Sequence, residues 1–324
     1  MRVLLRGFRS PFPATYKFIA RTMTTKPTPE SPPPPLPSDG AQAVSEGRGG
    51  KHLKITAQQS RQPVTAAATV TALRQASPSV RCITLTVHDP TVTFKAGQWV
   101  DLFIPGQEVV GGFSMASPPS QLAGEGVMVL GVKYSKWPPA RWVHEECEVG
   151  AEVAIRVGGD FHYPPPPHSP PSPQQQEEGV IGGEDLPPYP LLLVGGGVGV
   201  NPLASILLQL GRGEGAGRGV EGVFLYSARS YEELLYKEEM NAVAENIKNL
   251  EIRYFTTREP PPDPSLATYG RISPQALTQA ARALTHPHPP LCYLCGPPPM
   301  IEDICQHLVA AGVPRGRVLY EKWW

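Results

Sequence analysis

The segment Leu191 to Pro202, LLLVGGGVGVNP, constrains this chain more than any other. A short run of Leu and Val closed by glycine reads as a buried strand. Gly195, Gly196, Gly197 and Gly199 then let the backbone turn sharply and approach another group closely. Asn201 is a favoured helix N-cap and Pro202 is preorganised for a first helical position, so a helix is expected from Pro202. The amides from Gly196 through Gly197, Val198, Gly199 and Val200 to Asn201 then face an anion, and strand, glycine turn and helix in this order hold the pyrophosphate of a nicotinamide dinucleotide. The pattern is G-x-G-x-x-P, with Pro202 in place of the third glycine.

The rest of the chain supplies the context that such a turn requires. After Tyr189, strand and helix alternate. LLLVGG precedes the helix from Pro202, VEGVFLYSAR one over Tyr231 to Ile247, LEIRYFTTRE one near Pro274 to Leu284, and PLCYLCG one over Met300 to Ala311; RVLYEKWW is the fifth strand. That alternation predicts a doubly wound parallel five-stranded sheet with ligands at the carboxyl ends of its strands. Upstream, TAAATVTALRQ, VRCITLTVHD, QWVDLFIPG, GGFSMASPP, GVMVLGVKYS and EVAIRVGG are six short strands at the spacing of an antiparallel barrel or sandwich. The 324 residues accommodate both cores. The expected organisation is a barrel domain at 51–163 and a dinucleotide-binding α/β domain at 190–324. A Pro-rich insert at 164–189 separates them, and a Pro- and Ser-rich linker at 26–50 precedes them.

Balanced charge, 29 basic against 29 acidic side chains, gives no field that would draw the protein to nucleic acid. No apolar run reaches the ~18 residues of a membrane span. Five cysteines in an odd, scattered set point to free thiols and a reducing compartment, and a monomer is expected. Cys292 and Cys295 form a C-x-x-C on a strand, where residues three apart face opposite ways, so no metal site is expected there. Residues 1–25 carry Arg2, Arg6, Arg9, Lys17 and Arg21 with no acid, the pattern of a presequence for the mitochondrial matrix; an ordinary basic terminus is the alternative. At the end of the second α/β strand, Tyr226-Ser227-Ala228-Arg229 holds no Asp or Glu for a ribose hydroxyl. Ser227 and Arg229 can instead accept a 2'-phosphate, which favours NADPH over NADH.

A barrel, then GGGVGVNP, then CGPPPM at 295–300 and an aromatic carboxyl terminus: in this order the motifs resemble the ferredoxin-NADP reductase superfamily, over about Lys51 to Trp324 without the insert. GGFS at 111–114, GRIS at 270–273, CGPPPM and YEKWW look like one branch of it. The resemblance implies an FAD-binding barrel packed on an NAD(P)-binding domain, with hydride passing between nicotinamide C4 and flavin N5. Its flavin motif is R-x-Y-S, and Gly111-Gly112-Phe113-Ser114 stands in those places. Phe113 would stack on the isoalloxazine and Ser114 would hydrogen-bond near N5, with Met115 and Ser117 continuing the segment. The Arg for the pyrophosphate is missing. A charge-assisted hydrogen bond is worth ~1.5 to 3 kcal/mol, so its loss weakens FAD by roughly ten- to a hundredfold.

The resemblance also matches Val132-Lys133-Tyr134 to the next flavin-contacting strand, with Lys133 or Arg141 as phosphate cations, and Gly158-Gly159-Asp160-Phe161 to a flavin-side segment at the barrel's end. A Gly-x-x-Ser phosphate turn belongs near Pro138 to Trp142, where PPARW stands instead. Cys295, followed by Gly296, Pro297 and Met300, would lie beside the nicotinamide. Trp323 and Trp324 would cover the flavin as a gate. The activity implied is that of an FAD-dependent NAD(P)H oxidoreductase, with Ser114, Cys295 and Trp324 at the chemistry. With no four-cysteine cluster and no C-x-x-C-H haem site, electrons would leave to a separate protein or small molecule. The altered flavin motif keeps open a rival of another class, a non-catalytic NAD(P)-binding sensor or assembly factor.

Overall fold

In the computed structural model of the chain, the structure describes residues 50–165, 189–212, 220–284 and 288–322. The presequence, nearly all of the linker, the insert from 166 to 188, and Trp323 and Trp324 lie outside the described residues.

Alternating apolar and polar residues produce strands with one face in a core. Six of them, β1 (Ala66–Ser77), β2 (Val80–Val87), β3 (Trp99–Phe103), β4 (Gly111–Ser114), β5 (Val127–Lys133) and β6 (Glu152–Gly158), pair antiparallel in the order β4-β3-β6-β1-β2-β5. A bridge from Met115 to Leu130, with Met115 just past β4, joins the two ends of that order and closes the barrel. Val70, Ile83, Leu85, Leu102, Met128, Leu130 and Ile155 fill it. One element escapes period-two patterning: a short helix α1 (Lys51–Ile55) lies against β4 before the first strand. Two further helices, α2 (Pro119–Glu125) and α3 (Pro138–Glu145), flank β5.

Beyond the insert the strands are near-continuous Leu, Val, Phe and Tyr, as expected of a parallel sheet covered on both faces. They are β7 (Leu191–Gly196), β8 (Glu221–Ala228), β9 (Asn249–Thr256), β10 (Thr268–Tyr269), β11 (Leu291–Gly296) and β12 (Val318–Lys322), in the order β10-β9-β8-β7-β11-β12. The five anticipated strands are all present, and the two-residue β10 adds an edge. Helices α4 (Val200–Leu210), α5 (Lys237–Asn246), α6 (Pro274–Ala283) and α7 (Pro298–Ala310) make the crossovers. The strand order reverses between β7 and β11, which opens a crevice at their carboxyl ends.

Two helix boundaries correct the sequence reading. The helix anticipated over Tyr231 to Ile247 is broken: a 3-10 turn at Tyr231–Glu233 precedes Tyr236, whose φ of 57° is left-handed, and α5 begins only at Lys237. That break seats the Tyr236 ring in the interface with the barrel, where its hydroxyl donates to Asn201 Oδ1 at 3.0 Å and contacts Cys82 Sγ at 3.5 Å. The second correction concerns the glycine turn. The chain is already helical from Gly197 as a 3-10 turn that runs into α4 at Val200, so Asn201 is not the N-cap. Its buried amide instead donates to the Gly131 carbonyl of the barrel at 2.7 Å. Ser205, one turn on, donates to the Ser117 carbonyl at 2.7 Å, and Ser77 and Ser79 donate to Glu233 Oε2 at 2.9 and 2.7 Å. These bonds dock the barrel on the sheet beside the crevice.

Candidate functional site at the crevice between β7 and β11

β7 stops at Gly196 because the next backbone must turn under the end of β11. A Cβ added at Gly199 would strike the Cys295 carbonyl, and one at Gly196 would strike Met300 Sδ. Gly197, at φ 56°, takes the left-handed conformation with open space before it. Val200 N–H makes the first bond back into the turn, to the Gly197 carbonyl, so the amides of Gly197, Val198 and Gly199 precede the first intrahelical partner. With the positive end of α4 behind them, they form an anion cradle suited to a pyrophosphate. Pro297 and Met300 line the facing side. The Val200 side chain is fully buried and Val198 is half-packed on the core, so both contribute backbone only. Asn201 and Pro202 are both buried, and the Asn201 side chain is turned to the Gly131 carbonyl of the barrel, so these two stand outside the cradle.

Beside the cradle three side chains from distant parts of the sequence converge. Cys295, next to last in β11, is in register with Gly195 of β7 on one side and Glu321 of β12 on the other. Ser114 ends β4 of the barrel, and its hydroxyl faces Glu321 Oε2 at 3.5 Å, the outer limit of a hydrogen bond. All three are buried. The C-x-x-C cysteines do face opposite ways: Cys292 packs with Ile301 and Ile304 on one side of the sheet, Cys295 with Tyr293 on the other. Burial pushes the Cys292 thiol up to about 12, so it is inert. Nothing in the motifs of the chain singles out Glu321. Its signal was period two, since it shares a strand face with Leu319 while Tyr320 is exposed.

The barrel face splits into two unlike ends. Phe113 is half-buried and Ser114 stands at the crevice, as an isoalloxazine ring would need. The diphosphate end differs. A Cβ at Gly111 would lie 2.6 Å from Phe113 Cε2 and 2.9 Å from Pro139 Cβ, so the space in which an Arg stem would begin is filled. PPARW is not a phosphate turn but the start of α3, and Pro138 and Pro139 remove two of the amides that open a helix; Arg141 N–H is spent on the Trp137 carbonyl at 2.9 Å. The His52 ring of α1 sits where a side chain at Gly112 would begin. The residues present therefore fit the ring end of FAD and do not fit its diphosphate.

Several residues carried over from the resemblance serve the barrel itself. Met115 and Val132 are fully buried in its core. Ser117 Oγ accepts from Val129 N–H at 2.9 Å. Gly158 and Gly159 make room for the Trp99 ring, which a Cβ at either would approach to 2.5 or 2.6 Å. Arg141 is paired with Glu145 on the exposed side of α3, at 3.9 Å. Lys133 lies elsewhere, at the interface beside Ser79. Burial, and then the Arg229 guanidinium, lower its pKa, Glu233 opposes them, and Arg258 adds to the lowering. Arg229 is exposed past the end of β8 and its carbonyl accepts from Arg258 N–H at 2.9 Å, so Lys133, Arg229 and Arg258 form one cationic corner of the crevice. Ser227 Oγ, at the same strand end, is turned to the Gly195 carbonyl at 3.4 Å.

Outside the crevice a second ionic group pins α1 to the barrel. Asp101 on β3 is fully buried and accepts from His52 Nε2 at 2.8 Å, Arg61 Nε at 2.9 Å and Arg156 Nη2 at 2.7 Å. Among the described residues no group of three or more His, Cys, Asp or Glu is placed to hold a metal ion.

Residues 193–306 match the family model described as oxidoreductase NAD-binding domain. The chain is 40% identical over 291 residues to oxidoreductase NAD-binding domain-containing protein 1 of Danio rerio, covering 87% of this chain and 100% of that one. It is 37% identical over 286 residues to the Homo sapiens protein of that name, covering 84% of each. Among solved structures, the cytochrome b5 reductase domain of Ulva prolifera nitrate reductase superposes with a TM-score of 0.62 at 20% identity, over 80% of this chain and 97% of that one, a likeness of fold.

Proposed function

Because the chain belongs to the family of oxidoreductase NAD-binding domain-containing protein 1, we propose that it is an NAD(P)H-dependent oxidoreductase working at the crevice between its barrel and its sheet. The observation that carries the proposal is the meeting of Ser114, Cys295 and Glu321 beside the Gly197–Gly199 cradle. The cradle takes the pyrophosphate and Cys295 walls the nicotinamide. Burial of all three side chains excludes water from the reacting carbon, and Glu321 Oε2, accepting from the Ser114 hydroxyl, holds that side chain at the barrel edge of the crevice. Hydride transfer needs donor and acceptor within ~3 to 3.5 Å, so the work of these residues is positioning. The acceptor enters from solution, as a small molecule or a separate protein. The acid-free basic segment at residues 1–25 supports action in the mitochondrial matrix, which the location of a carboxyl-terminal fluorescent fusion would test.

The first experiment is a calorimetric titration of the full chain with NADPH and NADH. Binding is expected for the wild type, with a loss of at least about tenfold in Gly199→Val, whose side chain displaces the turn from the Cys295 carbonyl. No binding of either dinucleotide to the wild type overturns the proposal. The filled space at Gly111 favours one second reading, a dinucleotide-binding module without turnover. Dinucleotide binding with no NAD(P)H consumed in the presence of any acceptor would establish that reading.

A further inference from the structure

The two ends of the barrel face point to a substrate class. At the crevice end Phe113, Ser114 and Glu321 keep a place for a flat, hydrogen-bonding ring. At the far end, every feature that would hold a diphosphate has been replaced. Gly111 carries no cation and its space is closed by Phe113 and Pro139, the helix start that faces it has two prolines, and His52 covers Gly112. Asp101, through His52 and Arg61, fastens that cover in place. We infer that the hydride acceptor is a free flavin, recognised by its isoalloxazine ring alone and exchanging with solvent, in place of an FAD held as a resident cofactor. This rests on the nicotinamide site proposed above.

The step balances without a further reactant. The C4–H bond of the dihydronicotinamide breaks and its electron pair forms N5–H on the flavin, while a proton from solvent adds at N1. The products are NAD(P)+ and the two-electron-reduced flavin, which leaves. Phe113 offers ring stacking to any flavin, and Ser114 a hydroxyl near N5, whatever is attached to the ribityl chain. In a site with an Arg and free helix amides, FAD would outbind riboflavin by about ten- to a hundredfold or more. Here riboflavin, FMN and FAD present the same bound portion.

The test is quenching of flavin fluorescence on titrating each of the three with the full chain after gel filtration. The expected result is dissociation constants within about threefold of one another, with Phe113→Leu, which stays apolar but removes the aromatic ring, weakening all three by a common factor. A preference for FAD of about tenfold or more, FAD retained in stoichiometric amount through gel filtration, or no quenching by any of the three would each overturn the inference. NADPH calorimetry on the same preparation judges the nicotinamide site separately, so the two ideas fail distinguishably.

Discussion

Asp101 shows how one side chain fixes a site it does not enter. Burial works most strongly against its charge, but hydrogen bonds from His52, Arg61 and Arg156 together outweigh it and hold the carboxyl below the usual Asp range. A depressed folded pKa means that its stabilisation is complete above the unfolded value of about 3.9 and is lost as pH falls through the folded value. Thermal melts should therefore show little change from this group at neutral pH and a decline that begins below about pH 4. Asp101→Ala, which leaves the cations around a buried void, should cost about 3 kcal/mol in urea unfolding and flatten that acid decline. A smaller and different effect belongs to Glu321. Glu321→Gln keeps its shape but replaces the carboxyl group facing Ser114 with an amide, so turnover should fall by about tenfold or more while the NADPH dissociation constant stays level. Equal losses in both would make Glu321 a structural strut.

Helix α4 and the 3-10 turn that leads into it join the two cores, and together they do two jobs. Gly197 to Gly199 face the crevice while Asn201, two residues on, is clamped between Gly131 and Tyr236. Asn201→Ala leaves the buried Gly131 carbonyl and Tyr236 hydroxyl without that partner, so a loss of about 1 to 3 kcal/mol in denaturant unfolding is expected. What could be read from the amino acids follows the same division. Strands β1 to β6, the Leu- and Val-rich strands of the sheet, and the glycine cradle were all legible, because period-two burial and glycine at a turn are local necessities. The role of Asn201 was not. Its favoured local role is a cap, and a partner 70 residues away on β5 decided otherwise. Helix α1 and the buried Asp101 escaped for a like reason: no residue of KHLKI is buried, and its place is fixed by a hydrogen bond across 49 residues. Glu321 likewise has a meaning only once β12 lies beside Cys295.

The docking of barrel on sheet adds a third cation to two that the sheet already holds. Lys133 comes from β5, Arg229 and Arg258 from the ends of β8 and β9, and with only Glu233 to offset these three like charges the corner can still take up an anion. A 2'-phosphate carries ≈ −1.5 to −2 charges at pH 7, so on the proposed nicotinamide site this corner would favour NADPH over NADH. Arg229→Asp should weaken NADPH by about tenfold or more with little change for NADH, and Lys133→Met should move the same ratio in the same direction though it lies on the other domain. An NADPH-to-NADH ratio unmoved by Lys133→Met would confine recognition to the sheet. Two conditions act on the same corner without mutation. Raising salt from low ionic strength to about 1 M shortens the Debye length to about 3 Å and should narrow the preference. Lowering the pH through about 6 protonates the phosphate to its monoanion, which should also narrow it, while the cations stay charged. Calorimetric dissociation constants for the two dinucleotides across that pH range therefore read the corner directly: a ratio that falls towards the acid side marks a phosphate site, and a flat one assigns these three cations to the docking of the barrel on the sheet.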